Sequence, residues 1–338
     1  DRIFIEKFVV DPRHIEIQVL ADKHGTCLYL GERECSVQRR HQKVIEEAPS
    51  PFVDEELRKA MGEQAVALAK EVDYHSAGTV EFIVGSDKSF YFLEMNTRLR
   101  VAYGEKLTLT QEDITLTGWA LESRLYAEDP YRGFLPSIGR LSRYKVPKGD
   151  NVRVDTGVTE GSEITMFYDP MIAKLVTYGA TRTEALEEMG RALDAYEVKG
   201  IAHNINFLNA VCNHPRFKAG ELTTGFIAEE YPDGFHGAPL DAETYEKLVA
   251  VAILVYARHS SRSLSDVIEK TSEKWVVGNG KESSTEVSAE DAKAGIDVTI
   301  GDRVFAVRSK WKPGKRRIKA KVNGDEMIAQ LEFFRGSI

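Results

Sequence analysis

A hairpin signature constrains this chain more than any other stretch. The run Phe90-Tyr-Phe-Leu-Glu-Met-Asn-Thr-Arg98 follows the turn sequence Gly85-Ser-Asp-Lys88, which itself follows Thr79-Val-Glu-Phe-Ile83. Two such runs around a Gly-containing turn predict paired strands over 78–84 and 89–98. A strand sends successive side chains to opposite faces, so Glu94, Asn96 and Arg98 share one face. The apolar neighbours Phe90, Phe92 and Leu93 predict that this strand is buried. Buried carboxylates are rare unless paired or bound to a metal. Two structural carboxylates, each satisfied by an arginine, would be the plainer reading. The burial expected at Glu94 favours a metal instead, and Glu81, Glu94 and the Asn96 amide oxygen are hard ligands suited to Mg²⁺ carrying phosphates. Arg98 adds a fork-shaped donor for a small oxyanion.

The rest of the chain reads as an α+β protein of roughly two domains at about 150 residues each. Strands are expected over 3–10, 14–20 and 26–30, the last two joined by the turn Asp22-Lys-His-Gly25. A helix is expected over 54–72, with Asp54 as N-cap and Leu57, Met61, Leu68 and Val72 on its apolar face. Further strands follow over 118–126, 139–146 and 171–178. A capping box, Thr181-Arg-Thr-Glu184, opens a helix running to about 198, and another covers 205–212. The turn-rich Tyr231-Pro-Asp-Gly-Phe-His-Gly-Ala-Pro239 reads as a linker. Beyond it lie a helix over 242–258, holding the longest apolar run (248–256), and strands over 296–300, 304–307, 318–322 and 327–334. Residues 281–293 are polar and poorly patterned, and read as a loop or a junction. No internal repeat is present.

Several function classes find no support. The net charge of −8 gives no global attraction for nucleic acid. The basic stretch 310–321 reads as a solvated hairpin. No apolar run reaches membrane-spanning length. Cys27, Cys35 and Cys212 show no paired spacing, which fits a reducing compartment. Phosphate-loop, serine-nucleophile and zinc motifs are absent. The sequence opens at Asp1 without methionine and directly on a strand pattern, so it is expected to begin inside a longer protein.

A second polar cluster lies between Gly31 and Glu47. Ser36, Gln38, Arg39, Arg40, His41, Gln42 and Lys43 pack many anion-directed donors into eight residues. Alone this would be a solvated charge run; beside the paired carboxylates it reads as part of a site. Position alone makes His14 a turn cap and Arg124 an ion-pair partner of Glu122, which shares its strand face.

These residues carry a resemblance. Glu6-Lys7, Pro12-Arg-His-Ile-Glu-Ile-Gln-Val19, the Glu32–Glu47 cluster, Ala77-Gly-Thr-Val-Glu-Phe82 and Phe92-Leu-Glu-Met-Asn-Thr-Arg98 together resemble the biotin carboxylase family of ATP-grasp enzymes. So do Glu122-Ser-Arg-Leu-Tyr-Ala-Glu-Asp-Pro130, Phe134-Leu-Pro-Ser137, Tyr168-Asp-Pro-Met171 and Gly200-Ile-Ala-His-Asn204. The likeness covers about residues 1–235 and is closest to the family's propionyl-CoA carboxylase alpha-subunit branch. The tail after 240 is similar to the domain that joins such subunits to a carboxyltransferase beta subunit.

The resemblance implies an ATP-grasp portion over 1–110, a biotin carboxylase C-terminal domain over 111–235, and a helix-plus-antiparallel-β-barrel docking domain over 236–338. It implies Mg²⁺ or Mn²⁺ on Glu81, Glu94 and Asn96, and adenine against Lys7 and the backbone near Glu6 and Val9. Ribose and phosphates would meet His14, Gln38 and His41; bicarbonate would meet Lys43 and Arg98. Arg124 would steady the enolate-like form of biotin, which displaces the ion-pair reading. In the implied chemistry ATP activates bicarbonate as carboxyphosphate, and biotin on a carrier domain captures the CO₂ for the beta subunit. Bacterial cytoplasm and the mitochondrial matrix are both compatible compartments.

The pattern also departs from the family. Leu99 runs straight into Arg100-Val-Ala-Tyr-Gly-Glu-Lys106, where the family carries Gln-Val-Glu-His-Pro-Val-Thr-Glu and a helix. The glutamate used there as base on bicarbonate therefore has no counterpart. The N-terminal domain, the lid with its Gly-rich loop and two lysines, and the Ala-Met-Lys-Met attachment motif are also missing. The expectation is a sequence assembled from segments of a longer chain. Another ATP-grasp ligase, such as a carbamoyl-phosphate-forming enzyme, is the alternative activity, and a docking scaffold the non-catalytic one.

Overall fold

The computed structural model describes residues 7–99, 106–167, 169–260, 273–278 and 284–333, without the side chains of 97–99 and 273. Two compact units divide it, Asp1–Gly237 and Ala238–Ile338. The first is built on an antiparallel sheet. In chain order its strands are β1 (Arg13–Ala21), β2 (Cys27–Glu34), β5 (Ile45–Ala48), β6 (Ser76–Val84), β7 (Phe90–Leu99) and β8 (Trp119–Tyr126), then Val152–Thr156 and Met171–Gly179. Between β2 and β5, β3 (Gln38–Arg39) and β4 (Gln42–Lys43) form a separate miniature hairpin. Across the large sheet the order is Val152–Thr156, Met171–Gly179, β8, β5, β2, β1, β6, β7, so β7 is an edge strand.

Alternation along these strands separates an apolar face from a charged one. On β1, Ile15, Ile17 and Val19 are fully buried and join Val80, Phe82 and Val84 of β6 in a core closed by α1 (Glu55–Glu71). On β8, Leu121 and Leu125 join Ala173 and Leu175 in a second core beneath α2 (Arg182–Ala195) and α3 (Ile205–Asn213). His14, Glu16, Glu81, Glu122 and Arg124 occupy the alternate positions and thus the opposite face. Close seating of α1 depends on Gly62, where a Cβ would come within 2.6 Å of the Tyr29 ring.

Local signals set the helix limits. Asp54 caps α1, its carboxylate accepting the Leu57 N–H at 2.9 Å. The helix ends at Glu71, so Val72 leaves the apolar stripe and is 65% exposed, contrary to expectation. Thr181 caps α2 by accepting from Glu184 N–H at 3.3 Å, while the Glu184 carboxylate takes the Ala180 N–H at 2.9 Å. That helix stops at Ala195, short of 198, because Glu197–Lys199 pairs as a strand with Arg143–Lys145. The strand expected over 139–146 is correspondingly split into Gly139–Arg140 and Arg143–Lys145. Residues 7–10 carry no strand, and the rest of that expected element lies outside the described residues.

The second unit is the helix Ala242–Ser260 packed on a six-stranded antiparallel meander that curls as a half-barrel. Val249, Ile253 and Leu254 of the helix meet Val287, Val298, Val307, Ile318 and Val322 of the sheet. Ser284–Ala292 is a full strand, which corrects the loop reading of that stretch. Its polar composition hides a two-residue period, with Val287 and Ala289 turned inward.

Candidate active site

The site is a consequence of strand register. Glu94 lies opposite Glu81, Glu81 opposite Glu16, and Glu16 opposite Arg33, so one charged row crosses β7, β6, β1 and β2. Three neighbouring carboxylates require cations. Lys43 supplies one, its Nζ bonding Glu16 and lying 3.1 Å from Glu81 Oε1. Arg33 bridges Glu16 and Glu46, the latter at 2.7 Å. Further along, Arg124 pairs with Glu46, and its Nε lies 3.5 Å from Glu122 Oε1. Lys174 completes the row 2.9 Å from Glu122.

This network sets the charge states. Burial alone would raise the Glu46 carboxyl, but the Arg124 and Arg33 guanidiniums hold it below the ordinary range. Burial likewise opposes ionisation of Glu81. The His14 hydrogen bond, at 2.6 Å, and the Lys43 charge outweigh it and lower its pKa to about 2. Burial raises the Tyr126 phenol, keeping it a neutral donor to the Lys43 carbonyl at 3.1 Å.

Above the row is a cleft of about 820 Å³. Its walls bring together His14, Gln38, His41, Lys43, Glu81, Glu94, Asn96 and Arg124, eight of the expected site residues, from β1, the β3–β4 hairpin, β6, β7 and β8. Lys7 is not on that wall; it bonds the Tyr91 hydroxyl at 2.5 Å and covers its ring, near the start of β7. Val9 is half-buried in the segment before β1. Glu6 and the Arg98 side chain lie outside the described residues. One expectation fails: Glu94 is exposed rather than buried, as are Phe92 (47%) and Leu93 (49%). As an edge strand, β7 has a pairing partner on one side only.

The donor set fits a divalent cation nonetheless. The Asn96 amide nitrogen lies 2.8 Å from Glu81 Oε1 and 3.1 Å from Glu94 Oε1, so both carboxylates converge on one point. A half-turn of the amide would present its oxygen there instead. The three side chains are then two carboxylates and a carbonyl, a hard oxygen set.

Sequence reasoning missed Glu16, Arg33, Glu46, Tyr126 and Asp169. Glu16 had a readable signal, since His14, Glu16 and Gln18 alternate with Ile15, Ile17 and Val19 as Glu94 and Asn96 alternate on β7. It also missed Asn204, at the head of α3. Its amide donates to the Arg124 carbonyl at 3.0 Å and accepts the Tyr126 N–H at 2.8 Å, pairing the end of β8 as a neighbouring strand would.

Comparison with known proteins agrees along the chain. Residues 1–116 match the carbamoyl-phosphate synthase L chain, ATP binding domain. Residues 122–229 match the biotin carboxylase C-terminal domain, and 248–337 the propionyl-coenzyme A carboxylase BT domain. The propionyl-CoA carboxylase alpha chain of Ruegeria pomeroyi is 50% identical over 379 residues, covering 98% of this chain and 55% of the relative. The mitochondrial alpha chain of Mus musculus is 48% identical over 361 residues, covering 98% of this chain and 50% of its own. The chain thus spans about half the length of the curated relatives it matches. The biotin carboxylase domain of a thermophilic 2-oxoglutarate carboxylase, solved with bicarbonate, superimposes with TM-score 0.64 at 42% identity, over 67% of this chain and 56% of that one. The complete pyruvate carboxylase of Rhizobium etli gives 0.66 at 35% identity, over 75% of this chain and 28% of that one. The fold is accordingly an ATP-grasp portion joined to a biotin carboxylase C-terminal domain, with a helix-plus-sheet tail. Three family matches in chain order, and alpha-chain relatives near half identity, make this chain a member of the biotin carboxylase family, similar along nearly its whole length to propionyl-CoA carboxylase alpha chains.

Proposed function

We propose that this chain is the biotin carboxylase portion of an acyl-CoA carboxylase alpha subunit, working with a carboxyltransferase beta subunit on propionyl-CoA. The observation that carries this reading is convergence: one cleft holds the Glu81–Glu94–Asn96 face, Lys43 and Arg124. Mg²⁺ or Mn²⁺ held by Glu81, Glu94 and Asn96 would neutralise charge on the transferring phosphoryl group. Lys43, its ammonium fixed by Glu16 and Glu81, holds bicarbonate together with Arg98. His14, Gln38 and His41 take ribose and phosphates, and Lys7 with the backbone near Glu6 and Val9 takes adenine. Arg124, oriented by Glu46, faces the ureido oxygen of a biotin delivered on a carrier domain. A biotin carboxylase domain from Hydrogenobacter thermophilus, solved with MgADP and bicarbonate, supports this substrate set.

On this reading residues 1–110 and 111–235 are the two catalytic segments, and 236–338 docks the beta subunit. The BT-domain match over 248–337 supports the last assignment. Among the described residues no helix is long and apolar enough to cross a membrane. The relatives are bacterial and mitochondrial, so cytoplasm or mitochondrial matrix is the proposed setting. The test is ATP hydrolysis by the full-length protein, with bicarbonate and with or without free biotin. Biotin stimulation is expected; bicarbonate-dependent hydrolysis indifferent to biotin would favour another ATP-grasp ligase.

A further inference from the structure

The cleft's cations differ in one respect. Lys43 is tied to Glu16 and Glu81, Arg124 to Glu46 and Glu122, and His14 to Glu81. Arg39, one residue before the hairpin tip, is tied to Glu128 at 2.7 Å and stacks over Phe134. Among the described residues lining the cleft, Arg40 is the guanidinium with neither a hydrogen bond nor an ion pair. The other described fixed cations there are bonded to protein carboxylates; Arg40 acts on Glu128 only through its charge, so its N–H donors are the ones left for an incoming anion.

The backbone beneath it is unusual for these residue types. Arg40 (φ 49°) and His41 (φ 65°) are consecutive left-handed residues closing the two-residue loop between β3 and β4. Such a loop favours Asn-Gly, because both central positions need positive φ. Histidine visits that region more readily than most residues but arginine does not, so Arg40 and His41 stand where Asn-Gly would cost less. Both line the cleft.

We propose that Arg40 is a phosphate-binding residue, its planar guanidinium donating two parallel N–H···O bonds to a phosphoryl group of the bound nucleotide. The inference rests on the nucleotide-binding reading above and adds a contact which the family resemblance does not give to this position. A bidentate guanidinium fits a phosphoryl oxyanion better than a point charge does. Its exposed position at the tip lets it close on the ligand after entry.

The experiment is calorimetric titration of full-length protein with MgADP at two salt concentrations. Arg40→Ala is expected to raise Kd about tenfold and to flatten its salt dependence. Arg40→Lys should recover only part of the loss. Arg40→Asn should lose as much affinity as alanine while raising Tm, because asparagine tolerates the left-handed region; this variant separates lost binding from lost folding. Equal Kd for wild type and Arg40→Ala would overturn the proposal. An unchanged Kd with a raised KM for carrier-borne biotin alone would also overturn it, in favour of a protein contact. A wild type that binds no MgADP would sink the nucleotide reading itself, an outcome distinct from either.

Discussion

Glu81 and Glu94 are directly opposed residues on neighbouring antiparallel strands, and the Asn96 amide bridges them at 2.8 and 3.1 Å. Like charges so placed are destabilising on the order of 0.5 kcal/mol. Glu94→Gln should therefore stabilise the metal-free protein slightly while weakening Mg²⁺ binding at least tenfold. Denaturation in chelator and a Mg²⁺ titration read the two effects separately. A variant that is destabilised yet binds metal normally would make the pair structural.

Arg124 answers to Glu46 across β5 and β8, where Glu46 is opposite Glu122. Arg124→Ser should abolish most biotin-stimulated turnover and leave MgADP affinity within about twofold, since the nucleotide-side groups stand on other strands. It should also cost stability, about 1–3 kcal/mol, because the buried Glu46 loses its strongest cation and keeps Arg33, Lys43 and Lys174. Unchanged biotin-dependent turnover would remove Arg124 from the site.

Asn204 makes a third test available. Its side chain satisfies two backbone groups at the end of β8, and it is 2% exposed. Asn204→Ala leaves a buried carbonyl and a buried N–H without those partners, which should cost roughly 2–4 kcal/mol. Asn204→Asp keeps the acceptor for Tyr126 but sets a carboxylate against the Arg124 carbonyl, so it should rescue little. Chemical denaturation of the three proteins checks this, and a near-wild-type aspartate variant would refute the pairing.

Which features were legible in the amino-acid sequence follows from their range. The β6–β7 hairpin, the Asp54 cap and the metal face each depend on residues within about twenty positions, so alternation and turn chemistry expose them. Glu16 is equally legible by the same alternation on β1, but the flanking isoleucines mark only the buried face and say nothing of what the charged face meets. The partners of Arg124 were not legible. Glu122, two residues away, looked sufficient, whereas Glu46 reaches Arg124 only because β5 pairs with β8. Burial of β7 was misjudged for a related reason: apolar composition marks a strand, but whether anything covers its outer side is a property of the sheet order. In the tail, 284–292 read as a loop because its inward positions are a valine and a small alanine among polar neighbours.

His203 provides the pH prediction. It lies between Ala202, whose N–H bonds Ser137 at 2.9 Å, and Asn204, which holds the backbone of Arg124. Burial lowers its pKa from 6.5 to about 4, with the nearby Lys199 charge acting in the same direction. The folded state therefore favours the neutral ring more than the unfolded chain does. The resulting stability is fully present above pH 6.5 and is lost as pH falls through 4. His203→Gln cannot titrate, so wild type should lose stability relative to the variant between pH 6.5 and 4, while the gap between them stays constant above pH 7. Urea midpoints at pH 7.5, 6, 5 and 4.5 measure that difference. Parallel curves across the whole range would mean that His203 titrates alike in both states. A gap that opens on the acid side would identify the loop holding Arg124 as a point where acid loosens the site.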